Sequence, residues 1–124
     1  MMAKVRMYML LNELQRAKRT DGRLSIAHNR TYLALLHKLQ MERLVMAISV
    51  EDTSRIRATV ALHALWFQPL AVPQRCPRYE VQWWASELLP MDTGYLVMFT
   101  KQGVMLHKEA LEKRVGGEIV GVAY

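Results

Sequence analysis

A chain of 124 residues, 52% of them hydrophobic, can form one domain or two small lobes that share a core, and its composition excludes wholesale disorder. Seventeen Lys and Arg against eleven Asp and Glu give a formal net charge of +6, which favours an anionic partner, nucleic acid before a membrane surface. The single cysteine, Cys76, excludes an internal disulfide, and no apolar run approaches the roughly 20 residues of a membrane-spanning helix.

The first half of the chain alternates helical and extended patterns. Apolar residues at helical spacing predict an amphipathic helix over 5–18, and a short extended stretch follows over 24–26. Asn29 has the side chain of an N-cap for a second helix that runs to about Arg43. Segments 44–50 and 55–62 then alternate with a period of two, which predicts two strands. The polar positions of the second strand, Arg55, Arg57 and Thr59, predict a basic exposed face.

The first 20 residues, rich in base and poor in acid, admit two interpretations. Such an amphipathic segment could be an organelle presequence. The alternative is a structural first helix.

The second half carries mainly strand signals. Three prolines between residues 63 and 77 predict a connection that holds one short strand near 70–72. Strands are predicted over 79–84, 94–100 and 118–123, with one short helix over 107–114. On the first of these strands Trp83 and Trp84 would point to opposite faces, so that one would lie in the core and the other could stack on a base or cover a partner surface. The predicted fold is therefore α+β, with an α+β N-terminal lobe (1–65) of order helix-strand-helix-strand-strand and a mostly β C-terminal lobe (66–124).

No residue constellation for catalysis emerges from the sequence. The histidines lack the spacing of metal ligands, and neither a Gly-rich phosphate loop nor a nucleophile elbow is present. Cys76 beside Pro77 could be a nucleophile, but a small buried cysteine is the more common role. The sequence predicts no enzyme activity, cofactor, metal, membrane partner or small-molecule substrate.

Glycines punctuate the C-terminal stretch from Thr100 to Val120. Its pattern is strand, glycine turn, short helix, Gly-Gly and closing strand. Gly103 permits a tight turn, and Gly116-Gly117 let the backbone approach a neighbour closely. By themselves these features also fit ordinary turn punctuation.

This stretch resembles the closing motif of the eighth protein of the bacterial-type small ribosomal subunit. That family's motif runs roughly S-T-S-x-G-V-x-T-D-x-E-A, then a short helix, then G-G-E-I. The residues that fit it in order are Thr100, Gly103, Val104, Glu109, Ala110, Gly116, Gly117, Glu118 and Ile119. The likeness is weaker upstream, at Glu87–Pro90, at Gln74–Pro77 and at Leu11, Leu14 and Ala17 of the predicted first helix. Because the family has a helix there, we favour a structural helix over a presequence.

The resemblance implies a structural protein that binds the central domain of the small-subunit rRNA during assembly, beside neighbouring small-subunit proteins. The family's Ser/Thr-rich turn enters a distorted RNA minor groove, which displays 2′-hydroxyls. Basic side chains of the first lobe would hold phosphates, and Glu118 would organise the turn. The implied RNA-binding residues are Thr100, Lys101, Gly103, Glu118, Gly116, Gly117, Asn29, Arg30, Arg75 and Arg78.

Departures from the motif indicate a remodelled RNA site. Phe99 and Lys101 replace two serines, and Leu106 replaces the threonine that caps the short helix. Such divergence is expected where the rRNA has diverged, so the resemblance suggests a mitochondrial ribosome ahead of a plastid or bacterial one. A second hypothesis is a protein-binding module that keeps the fold with little RNA recognition, which exposed Trp66, Trp83 and Trp84 would favour.

Overall fold

The computed structural model describes residues 2–51, 54–90 and 93–124, with side chains from residue 6 onward. Helices are interspersed with strands along the chain, and the strands form two antiparallel sheets, which confirms the α+β class. The elements are α1 (Met2–Arg19), β1 (Arg23–Ala27), α2 (Arg30–Met41), β2 (Val45–Glu51), β3 (Arg55–Val60), β4 (Phe67–Cys76), a 3-10 turn (Arg78–Glu80), α3 (Val81–Leu88), β5 (Tyr95–Thr100), β6 (Gly103–Leu106), α4 (His107–Lys113) and β7 (Gly117–Ala123).

The first sheet has the order β1-β3-β2, and α1 and α2 pack against it. Both helices and all three strands lie where the periodicity predicts them. Asn29 caps α2 as expected, since its side-chain oxygen accepts hydrogen bonds from the backbone N–H groups of Thr31 at 2.9 Å and Tyr32 at 3.2 Å. Arg55 and Arg57 are exposed on β3, which confirms its basic face.

β2 departs from simple alternation because its pairing with β3 shifts register between Met46 and Ser49. Ala47 lies within this irregularity with a φ of 48°. A bulge of this kind adds a residue on one strand and turns the following side chains. Most of β2 beyond Val45 is consequently exposed.

The second sheet has the order β4-β7-β5-β6 and corrects the prediction for residues 63–77. In place of a connection with one short strand, Phe67–Cys76 form a ten-residue strand, β4. Its prolines are tolerated because β4 lies at the edge of the sheet, and its pairing with β7 shifts register between Pro69 and Gln74.

The predicted strand over 79–84 is wrong, because these residues form the 3-10 turn and α3. Val81 and Ala85, four residues apart, bury one side of the helix, and tertiary packing overrides the strand preference of adjacent aromatic residues. Trp83 and Trp84 are therefore helical neighbours whose rings meet edge to face, with centroids 4.8 Å apart. The segment 66–124 thus holds two helices, and not one, together with an unpredicted strand, β6, that forms a hairpin with β5.

α1 joins the two sheets through the core. It packs against β1 and also against β4 and β7. The buried side-chain oxygen of Gln15 accepts a hydrogen bond from the backbone N–H of Phe67 at 2.8 Å. Such packing agrees with a structural first helix. The predicted division into an N-terminal lobe (1–65) and a C-terminal lobe (66–124) stays a proposal. In the described ranges, none of the helices is both long and apolar enough to span a membrane.

Candidate nucleic-acid interface

An open groove of about 720 Å³ lies at the end of the second sheet, where β4 ends, β7 begins and β5 turns into β6. Its lining comes from three separate parts of the chain. The lining residues are Arg75, Cys76, Pro77, Phe99, Thr100, Lys101, Gln102, Val115, Gly116, Gly117 and Glu118.

Strand register brings these distant residues together. β7 lies between β4 and β5, so Glu118 is paired with Arg75 on one side and Phe99 on the other. One residue earlier, Gly117 is paired with Thr100 and with the last residue of β4. Paired residues share a face of the sheet. The groove therefore depends on the central position of β7.

Gly116 and Gly117 permit the close backbone approach at the base of the groove. A Cβ atom on Gly117 would lie 2.3 Å from the carbonyl oxygen of Phe99, and one on Gly116 would lie 2.6 Å from both the Cys76 oxygen and the Arg78 nitrogen. These neighbours are backbone atoms, which cannot rotate away. Glycine is therefore required at both positions for steric reasons, in agreement with the close approach inferred from the sequence.

The β5–β6 turn is fixed by the Thr100 hydroxyl. This hydroxyl donates to the Gly103 oxygen at 2.9 Å and accepts from the Gln102 N–H at 3.0 Å. Gly103 has a φ of +106°, a value that side chains disfavour, and this explains the glycine. Thr100 itself is only 5% exposed. Its hydroxyl retains acceptor capacity for one more hydrogen bond, and its main contact is with the turn.

Exposed cations flank the groove. Lys101 stands at the tip of the β5–β6 turn and Arg75 on the edge strand β4, and both are exposed. Arg78 is also exposed, and its backbone nitrogen adjoins Gly116. The groove thus combines flanking positive charge with a base of two glycines whose Cβ positions are taken up by neighbouring backbone.

The nucleophile interpretation of Cys76 is not supported by its surroundings. The side chain is fully buried, and this burial, together with the nearby Glu80 carboxylate, raises the pKa of the thiol to about 11. The thiol is therefore neutral near pH 7, whereas the thiolate is the reactive form. No histidine is among the residues that line the groove. Within the described ranges, no three His, Cys, Asp or Glu side chains are grouped as metal ligands.

The groove brings together six of the ten predicted RNA-binding residues. Gly103 and Arg78 adjoin it without lining it, whereas Asn29 and Arg30 lie apart, at the start of α2. The sequence did not predict the other five lining residues, whose only local signal is their proximity to predicted ones: Cys76, Pro77, Phe99, Gln102 and Val115.

α4 is held in place by side-chain contacts and not by the threonine N-cap of the family's closing motif. Its N-cap, Leu106, makes no side-chain hydrogen bond, as the sequence predicted. Instead, Glu109 bonds to Lys38 of α2 at 2.5 Å and to Lys113 at 2.9 Å. Burial raises the pKa of Glu109, but the hydrogen bonds from the two lysines outweigh it and hold the pKa below its usual value.

His107 and Tyr95 complete this support. The buried Nδ1 of His107 accepts the Leu96 backbone N–H at 3.0 Å, and burial lowers the pKa of His107. The Tyr95 hydroxyl donates to Glu42 at 2.7 Å, and burial together with this bond raises the pKa of Tyr95 to about 12. The bonds of Glu109 and His107 tie the helix that precedes Gly116-Gly117 to α2 and β5, and the bond of Tyr95 ties β5 to Glu42, the residue after α2.

Comparison with known proteins finds partial similarity to ribosomal proteins. No protein-family model matches the chain. Over 54 residues (39% of this chain and 42% of the relative) it is 43% identical to small ribosomal subunit protein uS8 of Cenarchaeum symbiosum (strain A). Over 46 residues (36% of this chain and 35% of the relative) it is 48% identical to small ribosomal subunit protein uS8 of Strongylocentrotus purpuratus. The matched stretch therefore spans less than half of either relative.

Proposed function

We propose that this chain is a uS8-type structural component of the small ribosomal subunit, which binds the central domain of the small-subunit rRNA and supports its assembly. The observation that carries the proposal is the groove, which unites Arg75, Lys101 and the Gly116-Gly117 base although they are distant in sequence. Two partial matches to uS8 proteins support the same family as the closing motif. Both relatives are ribosomal proteins by name, and the proposed role is likewise not enzymatic.

The groove suits a folded RNA backbone. Arg75 and Lys101 would pair with phosphates on its two sides, while the glycine base would face the 2′-hydroxyls of a shallow minor groove. Thr100 and Gly103 would shape the turn that presents Lys101. Glu118 would organise the turn from within the groove. Asn29 has its side-chain oxygen engaged in the cap of α2, so Arg30 is the stronger candidate for a separate phosphate contact.

Charge reversal at Lys101 tests this function. The Lys101→Glu variant should weaken binding to a central-domain rRNA fragment and lower the salt dependence of binding by about one phosphate contact, with the fold intact. Lys108→Glu is the matched control, because Lys108 lies over the Tyr95 ring outside the groove and the change in net charge is identical. Equal affinities and equal salt slopes for the two variants would reject the groove as the RNA site.

A second candidate function is the protein-binding module, held in the ribosome mainly by neighbouring proteins. The exposure of Trp83 favours it. Trp66 and Trp84 do not, since both are half-buried and their indole N–H groups are bonded to Gln68 and Glu80. This candidate predicts that the isolated chain binds rRNA weakly but enters assembled particles normally.

The location is a finer part of the proposal. The changes at Phe99, Lys101 and Leu106 support a diverged, mitochondrial ribosome ahead of a plastid or bacterial one. The archaeal relative shows that the matched segment also occurs outside organelles. Sedimentation of the chain with mitochondrial ribosomal particles, lost after RNase treatment, would support the mitochondrial site, and sedimentation only with cytoplasmic particles would reject it.

A further inference from the structure

Two aromatic side chains are exposed on one side of the helical segment that follows β4. Tyr79 is 81% and Trp83 is 55% exposed. The 3-10 turn runs directly into α3, so residues four apart lie on the same side. Gln82 is exposed beside them. We call these three residues the aromatic face.

The Trp83 ring is supported from beneath by its neighbour. It meets Trp84 edge to face at a centroid distance of 4.8 Å and an interplanar angle of 83°. The Trp84 indole N–H donates to the Glu80 carboxylate at 3.2 Å, and this bond orients the supporting ring. Buried Val81 and Ala85 anchor the helix itself. The contact with Trp84 therefore restricts the Trp83 ring before any ligand arrives, which lowers the entropic cost of binding at this residue.

The aromatic face adjoins the basic groove. Pro77 lines the groove, and Tyr79 lies two residues further along the chain. Between them, the Arg78 backbone nitrogen touches Gly116 at the base of the groove. Arg75 lines the groove and Arg78 directly precedes Tyr79 in the chain, and both side chains are exposed.

The two acidic residues of this segment, Glu80 and Glu87, differ in their position relative to an anionic ligand at the aromatic face. Glu80 is occupied by the Trp84 indole N–H. Glu87 is exposed four residues beyond Trp83, on the same side of the helix but at the end away from Arg78. Positive charge and aromatic surface are therefore adjacent at the groove end of the segment. This combination is typical of proteins that hold single-stranded nucleic acid by stacking bases while cations follow the phosphates.

We propose that the aromatic face stacks on unpaired bases of the RNA whose backbone lies in the groove. This inference rests on the proposed function and adds to it the kind of RNA that is bound: a paired segment that fills the groove, followed by at least one unpaired nucleotide that reaches Tyr79 and Trp83. Arg78 pairs with the phosphate between the two parts. A neighbouring protein on the same surface is the competing occupant, and the experiment below separates the two.

Two RNA probes test the proposal: a central-domain rRNA fragment with its bulged nucleotides, and the same fragment with those nucleotides deleted. The Tyr79→Ala/Trp83→Ala variant should raise Kd for the bulged fragment by roughly tenfold or more, because base stacking on aromatic residues contributes that much per base. Its Kd for the fully paired fragment should be unchanged. The Tyr79→Phe/Trp83→Phe variant keeps aromatic rings and should restore most of the affinity for the bulged fragment.

Controls distinguish failure of this proposal from failure of the proposed function. Lys101→Glu should weaken binding of both fragments equally, and circular dichroism and thermal unfolding should show that every variant folds. If the alanine variant binds both fragments like the wild type while Lys101→Glu does not, stacking is refuted and the groove function stands. If the wild type binds neither fragment, both are refuted. If the alanine variant binds RNA normally but enters ribosomal particles poorly, the aromatic face contacts a protein.

Discussion

Replacing Gly117 by alanine should damage both the second sheet and the groove. The added Cβ would lie 2.3 Å from the Phe99 carbonyl oxygen, 3.0 Å from its carbonyl carbon and 3.1 Å from the Thr100 Cα. All three atoms belong to the backbone of β5, the strand paired with this part of β7. Relief therefore requires the two strands to separate, because no side chain can rotate out of the way.

The size of the effect follows from that separation. Ordinary van der Waals contact requires β5 and β7 to move apart by about 1 Å, which is enough to break a neighbouring ladder hydrogen bond. Each lost bond costs on the order of 1 kcal/mol, and overpacking in general costs roughly 1–3 kcal/mol. For a chain of this size we expect the melting temperature to fall by about 5–15 °C.

Thermal unfolding and amide hydrogen exchange together measure this prediction. Exchange should accelerate on both sides of the β5–β7 pairing near the groove. Gly103→Ala is the control, since a Cβ there meets no atom within 4 Å and the cost is backbone strain at a φ of +106° alone. That variant should accelerate exchange only in the β5–β6 turn. An alanine at 117 that leaves the free energy of unfolding within about 0.5 kcal/mol of the wild type would refute the steric argument.

Three further perturbations test the frame around the groove. Tyr95→Phe removes the hydrogen bond to Glu42 and should lower the free energy of unfolding by about 1–2 kcal/mol, measured by denaturant titration. In the wild-type protein, ultraviolet titration should find that Tyr95 has a pKa of about 12. Burial lowers the folded-state pKa of His107 below its usual value of 6.5, so its contribution to stability is complete above pH 6.5 and is lost as the pH falls towards the folded pKa. His107→Asn, which keeps an acceptor for the Leu96 N–H, should flatten this decline in pH-dependent unfolding. Asn29→Ala should cost about 1 kcal/mol through loss of the α2 cap, whereas Asn29→Asp should unfold like the wild type.

These three results have distinct contradictory outcomes. An unchanged stability of Tyr95→Phe would mean that the hydroxyl is as well bonded to water as to Glu42. A pH profile of His107→Asn parallel to that of the wild type would assign the acid sensitivity to other groups, such as Glu109. Equal destabilisation by alanine and aspartate at residue 29 would show that the amide nitrogen, and not the capping oxygen, is the group that matters.

Elements stabilised by near neighbours in sequence could be predicted without the structure. The spacing of apolar residues defined α1, the capping chemistry of Asn29 defined the start of α2, and alternation defined β3. Gly103 indicated its turn because the left-handed backbone that the turn needs, with a φ of +106°, strains any residue other than glycine. In each case the deciding interaction lies within about one helical turn or one hairpin, where sequence patterns are informative.

β4 and α3 could not be predicted in this way, because distant residues decide them. The proline-containing segment Phe67–Cys76 is a strand only because β7, some forty residues later, pairs with one of its edges. Adjacent tryptophans favour a strand in isolation, yet the packing of Val81 and Ala85 into the core makes this segment a helix. The candidate site divides in the same way. Glycine chemistry predicted the turn at Gly103 and the close backbone approach at Gly116-Gly117, whereas their role in RNA binding was implied only by the family resemblance. That Arg75 and Lys101 flank one groove was decided by the tertiary structure, because a backbone pairing register joins residues that no local pattern connects.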